Sequence, residues 1–239
     1  MQRPYIICHM TTSIDGKVTG DFLSLPNHKD VSELYYEINR NYKTKGANGF
    51  ICGRITMESS FTGGWYPDLC QYQPVYHDLD MKMDFIVDDL SGFYAVAFDA
   101  HGKLGWKSNK IIDPDGDPGY DGAQIIEVLS EDVDERYLGY LESMEIPYIF
   151  AGERTIDVEL ALFKLKNIIG CETLLLEGGS IINGAFERAG MVDELSLVVD
   201  PVIAGKDSKP LFMDSGIMNF ELIKAENQDG ILILNYKRK

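Results

Sequence analysis

Positive charge is scarce in this sequence: 22 Lys and Arg stand against 38 Asp and Glu, for a formal net charge of −16. Binding to nucleic acid requires clustered Lys and Arg to neutralise phosphates, so the composition argues against such a partner. A small anionic ligand is a different matter, because a few local cations and backbone amides suffice for it. Cysteine is sparse as well. Cys8, Cys52, Cys70 and Cys171 form no Cys-x-x-Cys pair, and His9, His28, His77 and His101 show no His-x-x-x-His spacing. No structural metal site is therefore expected. Cys8, Cys52 and Cys171 lie in or beside apolar runs and read as buried small hydrophobes. The N-terminal "MQRPYIICHMTTSIDG" turns polar after a short apolar run, which excludes a membrane span or a signal peptide there and makes a reduced, cytoplasmic setting the expectation. Internal repeats and low-complexity tracts are also missing.

What is present is the balance of a soluble globular protein, 45% hydrophobic and 25% charged over 239 residues, enough to bury a sizeable core. "YIICHM" (Tyr5 to Met10) reads as a first strand, and Asp15-Gly16 in "SIDGKV" as a turn. Asp30 or Ser32 can cap a helix over "SELYYEINRNYKTK", which Gly46 stops. "NGFICG" is a second strand. Ser59 to Asp89 has no clear period, and such an excursion is expected to make ligand or partner contacts. "FYAVAFD" and "AQIIEVL" read as strands, separated by the loop "DPDGDPGYDG", whose prolines and missing acceptor glutamate disfavour a calcium site. Helix "DVDERYLGYLESMEI", strand "PYIFAG", helix "DVELALFKLKNIIG", strand "TLLLEGG" and helix "SIINGAFERAG" follow. "DELSLVVDPVI", "NFELIKAEN" and "GILILNYKRK" then read as strands without helices between them. The expectation is one α/β domain over 1–239, variable from about 59 to 122, with a mostly parallel sheet and antiparallel C-terminal strands.

Three motifs follow strands, at the sheet end where open α/β folds bind ligands. In "LLLEGGSIINGAF", Gly178 and Gly179 allow a tight turn and a close approach to the backbone, at a helix start whose unpaired amides suit a pyrophosphate. Ser180 adds a hydroxyl donor or a cap. Glu177 would repel phosphate; it suits hydrogen bonding to a neutral part of a substrate, or capping of the next helix. In "ICGRITMESS", Gly53 ends a strand, Arg54 can fork onto a phosphate monoester and Thr56 can donate to a pyrophosphate. In "TTSIDG", Asp15 places a carboxylate just after the first strand.

"SIDGKV", "GRIT" and "LLLEGGSIINGAFERAGMVDELSLVVDPVIAGKDSKPLF" together resemble the pyrimidine reductase domain of riboflavin biosynthesis, which has the dihydrofolate reductase-like fold. The resemblance implies that Thr56 and the run Gly178, Gly179, Ser180, Ile181 and Ile182 hold the pyrophosphate of NADPH, with Gly53 at the same turn. It implies that Arg54 faces the 2′-phosphate and that Asp15 and Glu177 lie near nicotinamide and substrate. The implied reaction reduces a ribosylaminopyrimidine phosphate by hydride transfer to C1′ of its open-chain imine. An ionised Asp is a poor acid at neutral pH, so orientation of substrate or water is the first role for Asp15. His9 is a proton donor if it faces the site and a core or edge histidine otherwise.

The chain carries no zinc deaminase signature. Where the family has Asp-Asp-Pro-x-Leu-Thr, it reads "MESSFTGGWYPDL". A dihydrofolate reductase-like enzyme on another heterocycle or carbonyl compound, and a non-catalytic NADP-binding protein, are the competing readings. "SLPNHKDVSEL" stands in place of the Trp-x-x-Pro-x-Asp pattern of true dihydrofolate reductases. The family implies a homodimer, which would cover the strand-rich tail.

Overall fold

The computed structural model describes residues 2–76, 82–88, 90 and 92–239. His77 and Asp89, the expected end of the aromatic-rich excursion, lie outside them. In chain order the elements are β1 (Tyr5–Ser13), α1 (His28–Thr44), β2 (Gly49–Gly53), α2 (Arg54–Met57), β3 (Tyr94–Phe98) and β4 (Gln124–Leu129). They continue with α3 (Glu135–Ser143), β5 (Tyr148–Phe150), α4 (Val158–Lys164), β6 (Thr173–Leu176), α5 (Ser180–Arg188), β7 (Glu194–Asp200), β8 (Phe220–Gln228) and β9 (Ile231–Arg238). Their contacts divide the chain into two compact units.

The first unit holds Asn48–Glu172 and the first residues of the chain. Its strands run parallel in the order β5-β4-β3-β2. Every residue of β3 and β4 is buried, the pattern of parallel strands covered on both faces. Helix α2 runs on as a π turn over Glu58–Thr62 that ends at Gly63, and α4 as another over Leu165–Ile169 that ends at Gly170, both glycines in the left-handed region. The described part of the excursion packs on its own unit. Gly139 on α3 is essential for that, because a Cβ there would stand 1.9 Å from the Gln73 carbonyl oxygen. Asp84 accepts from the Phe150 amide and pairs with Lys164, each at 2.8 Å. In the Asp-rich loop, Asp113 Oδ2 accepts from the amides of Asp115 and Asp117, so its carboxylate serves the local turn.

The second unit holds Tyr5–Ala47 and Thr173–Lys239. Here β6 and β7 flank β1 in parallel, and β9 then β8 add antiparallel. β1 is longer than its apolar run. Thr11, Thr12 and Ser13 extend it because β7 offers partners Val198, Val199 and Asp200. α1 begins at His28, four residues before Ser32; neither expected cap is used. The 3-10 turn Asp21–Ser24 and the bond from the His28 amide to the Leu25 carbonyl feed the chain directly into the helix. Asp30 falls inside the first turn, where its charge complements the helix dipole. Val31, Leu34, Tyr35 and Ile38 recur at helical spacing and pack against Val198, Ile231 and Ile233.

A loop between β7 and β8 laces over the N-terminal half of α5. The Met213 amide donates to the Ser180 carbonyl at 3.0 Å, and Asn183 Nδ2 to the Leu211 carbonyl at 3.1 Å. Gly184 permits this closeness, since a Cβ there would stand 1.8 Å from the Met213 carbonyl oxygen. Alanine is worth about 1 kcal/mol over glycine in a helix interior, but displacing that backbone costs about 1–3 kcal/mol. Gly184→Ala is therefore expected to lower the urea midpoint despite its better helix propensity, and a raised midpoint would refute the close approach.

Candidate active site

The second unit carries the glycine turn. β6 is a buried apolar strand, and the carboxylate that follows it, Glu177, stays buried. Asn39 Nδ2, on the inner face of α1, donates to Glu177 Oε1 at 2.6 Å, so the carboxylate is held rather than exposed. Gly178 has φ +90°, and a Cβ on it would press within 3.1–3.2 Å of the Met10 thioether end. Glycine answers both constraints there. The Gly178–Gly179 peptide is cis. Gly179 occupies the N-cap position of α5, and Ser180 is the first helical residue. The Ser180 hydroxyl donates to the Pro210 carbonyl, so it secures the overlying loop and does not cap the helix.

The first intrahelical bond of α5 runs from the Asn183 amide to the Gly179 carbonyl. The amides of Ser180, Ile181 and Ile182 thus have no helical acceptor. Ile181 is exposed and Ile182 buried. Backbone donors, a helix N-terminus and glycines before it fit the phosphates of a dinucleotide.

Asp15 is exposed beyond the end of β1. Its Oδ1 accepts from the Ser13 hydroxyl at 2.7 Å and from the Ala204 amide at 3.0 Å. Those bonds, the Ser13 one foremost, hold its pKa below the usual carboxylate value. It is an ionised, oriented acceptor at neutral pH. Across the β1–β7 register Ser13 faces Asp200, whose buried carboxylate lies 2.8 Å from His28 Nδ1. No local signal in the sequence marks His28 or Asp200 for this pairing. Asn39 was also missed, although a polar residue on the apolar face of a helix is a visible clue.

His9 does not face a ligand. It is fully buried, stacked on Tyr35 with centroids 4.3 Å apart. Nε2–H donates to the Tyr35 carbonyl at 3.1 Å while Nδ1 accepts from the Ser196 hydroxyl at 3.1 Å, the tautomer that satisfies both nitrogens. Burial pushes its pKa down to about 4.

In the first unit Gly53 ends β2 and caps α2. Arg54 forms an ion pair with Glu58 one turn along, both side chains over a third exposed. Thr56 lies half-buried, its carbonyl accepting from Ser59 Oγ. Two buried acids stand nearby in the sheet. Asp99 accepts from the Leu104 amide, and Glu127 from the Trp106 indole and Tyr137 hydroxyl. Burial, then the Asp99 charge, holds Glu127 well above the usual carboxylate value. Cys8, Cys52 and Cys171 are buried, as expected, and Cys70 is exposed.

The likeness to a known family lies in the stretch from the end of the Asp-rich loop through β4, the glycine turn and β7 to the start of β9. Residues 120–233 match the RibD C-terminal domain family. Over 98 residues the chain is 37% identical to the 2,5-diamino-6-ribosylamino-4(3H)-pyrimidinone 5′-phosphate reductase of Methanothermobacter thermautotrophicus, a match covering 38% of this chain and 45% of that protein. Among solved structures, a pyrimidine reductase-like protein from Corynebacterium diphtheriae superposes with TM-score 0.65 at 17% identity, covering 99% of this chain and 92% of that one. Acinetobacter baumannii RibD (form 2) gives TM-score 0.64 at 15% identity, covering 99% of this chain and 58% of that one. The chain thus spans little more than half of that RibD chain, and the matched stretch less than half of the archaeal reductase. The RibD C-terminal family and these structures agree on the fold: dihydrofolate reductase-like, mostly parallel, with antiparallel C-terminal strands.

The neutral state of His9 has a pH consequence. Its folded pKa, about 4, lies below the 6.5 of an unexposed-to-strain reference imidazole, so between those values the unfolded chain binds a proton that the folded one refuses. This contribution is neutral above pH 6.5 and costs stability progressively down to pH 4, on the order of 3 kcal/mol in full. Glu127, raised in the fold, acts with the opposite sign, losing stability as pH rises. Comparison of His9→Gln with the parent isolates the histidine: urea midpoints of the parent should fall more steeply from pH 7 to 4.5 than those of the variant.

Proposed function

We propose that the chain is an NADPH-dependent reductase of a ribosylaminopyrimidine phosphate, adding hydride to C1′ of the open-chain imine. The observation that carries this reading is the turn from β6 into α5, where glycines and three amides without helical acceptors stand directly after a buried, Asn39-held glutamate. The match of residues 120–233 to a reductase domain family, and the activity in the name of the archaeal relative, support it.

The reduced nicotinamide would supply the hydride. Gly178, Gly179, Ser180, Ile181 and Ile182 would receive the pyrophosphate through backbone amides, with Gly53 and Thr56 at the second turn. Arg54 would take the 2′-phosphate, exchanging its bond to Glu58 for a charge-assisted fork. Glu177, kept in place by Asn39, would accept hydrogen bonds from the pyrimidine's amino groups. Asp15 would orient ribose hydroxyls or a water. Reduction of another heterocyclic or carbonyl compound is the second reading, favoured by "MESSFTGGWYPDL" at the place where the family's substrate-side segment belongs.

A homodimer is part of the proposal. Strand β8 is exposed along nearly its whole length, with Leu222 and Ile223 52% and 60% exposed beside a bulge. An apolar edge strand in that state invites pairing with a second copy. Sedimentation should give twice the monomer mass, and Leu222→Glu with Ile223→Glu should return the monomer; a monomeric parent would end the dimer proposal.

Fluorescence titration tests the cofactor. NADPH should bind at least about tenfold more tightly than NADH, roughly 1.4 kcal/mol, and Arg54→Gln should erase most of that preference. Turnover of the ribosylaminopyrimidine phosphate should follow. Tight NADPH binding with no turnover of any pyrimidine, pteridine or carbonyl compound would instead mark a non-catalytic NADP-binding protein.

A further inference from the structure

Reduction of a C=N bond needs a proton as well as a hydride, and neither Asp15 nor His9 is placed to donate one. Asp15 is ionised, and His9 is neutral and enclosed. His28 differs from both. It is the first residue of α1, and its Nδ1 stands 2.8 Å from Oδ2 of Asp200, the last residue of β7. The Asp200 side chain is fully shielded while that of His28 keeps 13% exposure. Nε2 of His28 has no hydrogen-bond partner among the described residues, so the ring is fixed from one side and open at the other.

Asp200 carries a second signal. Its Oδ1 is buried without a hydrogen-bond partner, and a buried carboxylate oxygen is costly to leave unpaired. One oxygen orients the imidazole, so stability alone does not account for the residue. Its place in the sheet ties it to the candidate site. Asp200 pairs in register with Ser13, whose hydroxyl holds Asp15, and the Ile14 amide donates to the Val202 carbonyl just beyond. Asp15 and the Asp200–His28 pair therefore sit at the C-terminal ends of two adjacent parallel strands, where α/β sheets place ligands.

We propose that His28 is the proton donor of the reduction and Asp200 its positioning residue, an inference that rests on the reductase reading above. Hydride addition at the imine carbon, with the reduced nicotinamide as reductant, breaks the C=N π bond and leaves its electron pair on nitrogen. That pair takes the proton from Nε2 of the His28 imidazolium. The imidazole keeps its Nδ1 proton toward Asp200, and water returns the one lost from Nε2. A carboxylate on Nδ1 selects this tautomer and fixes the ring's orientation. Asp200 is the charged group in contact with His28. Phe22, from the 3-10 turn, brings only a ring edge at 5.8 Å, the turn after β1 carries Asp15 and Lys17, and α1 continues with Lys29 and Asp30.

The test uses the full chain and two readouts. In steady-state kinetics the parent should lose kcat/KM at high pH as the donor deprotonates. His28→Gln should lower kcat by about 10²–10⁴-fold, with NADPH affinity within about twofold and that pH limb gone. Asp200→Asn should lower kcat while leaving NADPH affinity within about twofold and should shift the His28 Nδ1 signal in imidazole ¹⁵N spectra, which a purely structural role would not do. In imidazole ¹⁵N spectra of the parent, His28 Nε2 should shift when NADP⁺ and the ribitylaminopyrimidine phosphate product are added together. A parent that turns over nothing overturns the reductase reading and this inference with it. An active parent whose His28→Gln variant keeps kcat within about threefold and the same limb overturns the inference alone. If that variant does not fold, the parent's ¹⁵N spectrum decides, and an unmoved Nε2 signal in the ternary complex sinks the proposal.

Discussion

The bond between Asn39 and Glu177 is the constraint around which the second unit is arranged. A carboxylate at the end of a buried parallel strand loses its hydration, and the loss is severe unless a donor replaces the water. Asn39 supplies that donor from α1 at 2.6 Å. The bond fixes the rotation of α1, because only one face of the helix can present both Asn39 and the apolar stripe Val31, Leu34 and Ile38 to the sheet. It also fixes where β6 stops, and so where Gly178 must turn beneath Met10 and where α5 begins. One polar contact thereby sets the position of the candidate cofactor turn relative to the helix that starts at His28.

The loop from β7 to β8 acts on the same turn from outside. It binds Ser180 twice, through the hydroxyl and the carbonyl, and Asn183 once. None of these bonds consumes the amides of the first turn of α5, which remain directed away from the helix body. The loop therefore stiffens the helix start while leaving its donors for a ligand, and Gly184 is the concession in the helix that brings the loop close enough.

Much of this was legible in the chain. Continuous apolar runs announced β3, β4 and β6, and the switch from helix-separated strands to consecutive ones announced the antiparallel tail. The glycine turn itself was visible because Gly-Gly between an apolar strand and a helical pattern marks a tight strand-to-helix turn. What escaped were features that depend on a distant partner. Thr11 to Ser13 looked like a loop because their strand character comes from β7, nearly two hundred residues away. The start of α1 escaped for a related reason: the preceding 3-10 turn carries the chain into the helix, and no side chain caps it. Asp200 fell inside the expected strand "DELSLVVDPVI", whereas β7 ends at it, and nothing local tells that its carboxylate meets His28.

The two histidines of the second unit show why residue type alone could not assign them. His9 has a donor or acceptor on each nitrogen, an aromatic ring parallel to its own at 4.3 Å, and no exposure. Charging it would put a second proton on Nδ1, beside the Ser196 hydroxyl and carbonyl, and would bury the cation away from water. His28 has an anion on one nitrogen and an unengaged second nitrogen on a ring that still touches solvent. Its Nε2 can pass a proton without displacing a partner, while Oδ2 of Asp200 holds Nδ1. The same side chain is thus a structural spacer on β1 and a group able to carry a proton on α1: burial, Tyr35 and Ser196 enclose the first, while Asp200 holds the second from one side and leaves the other open.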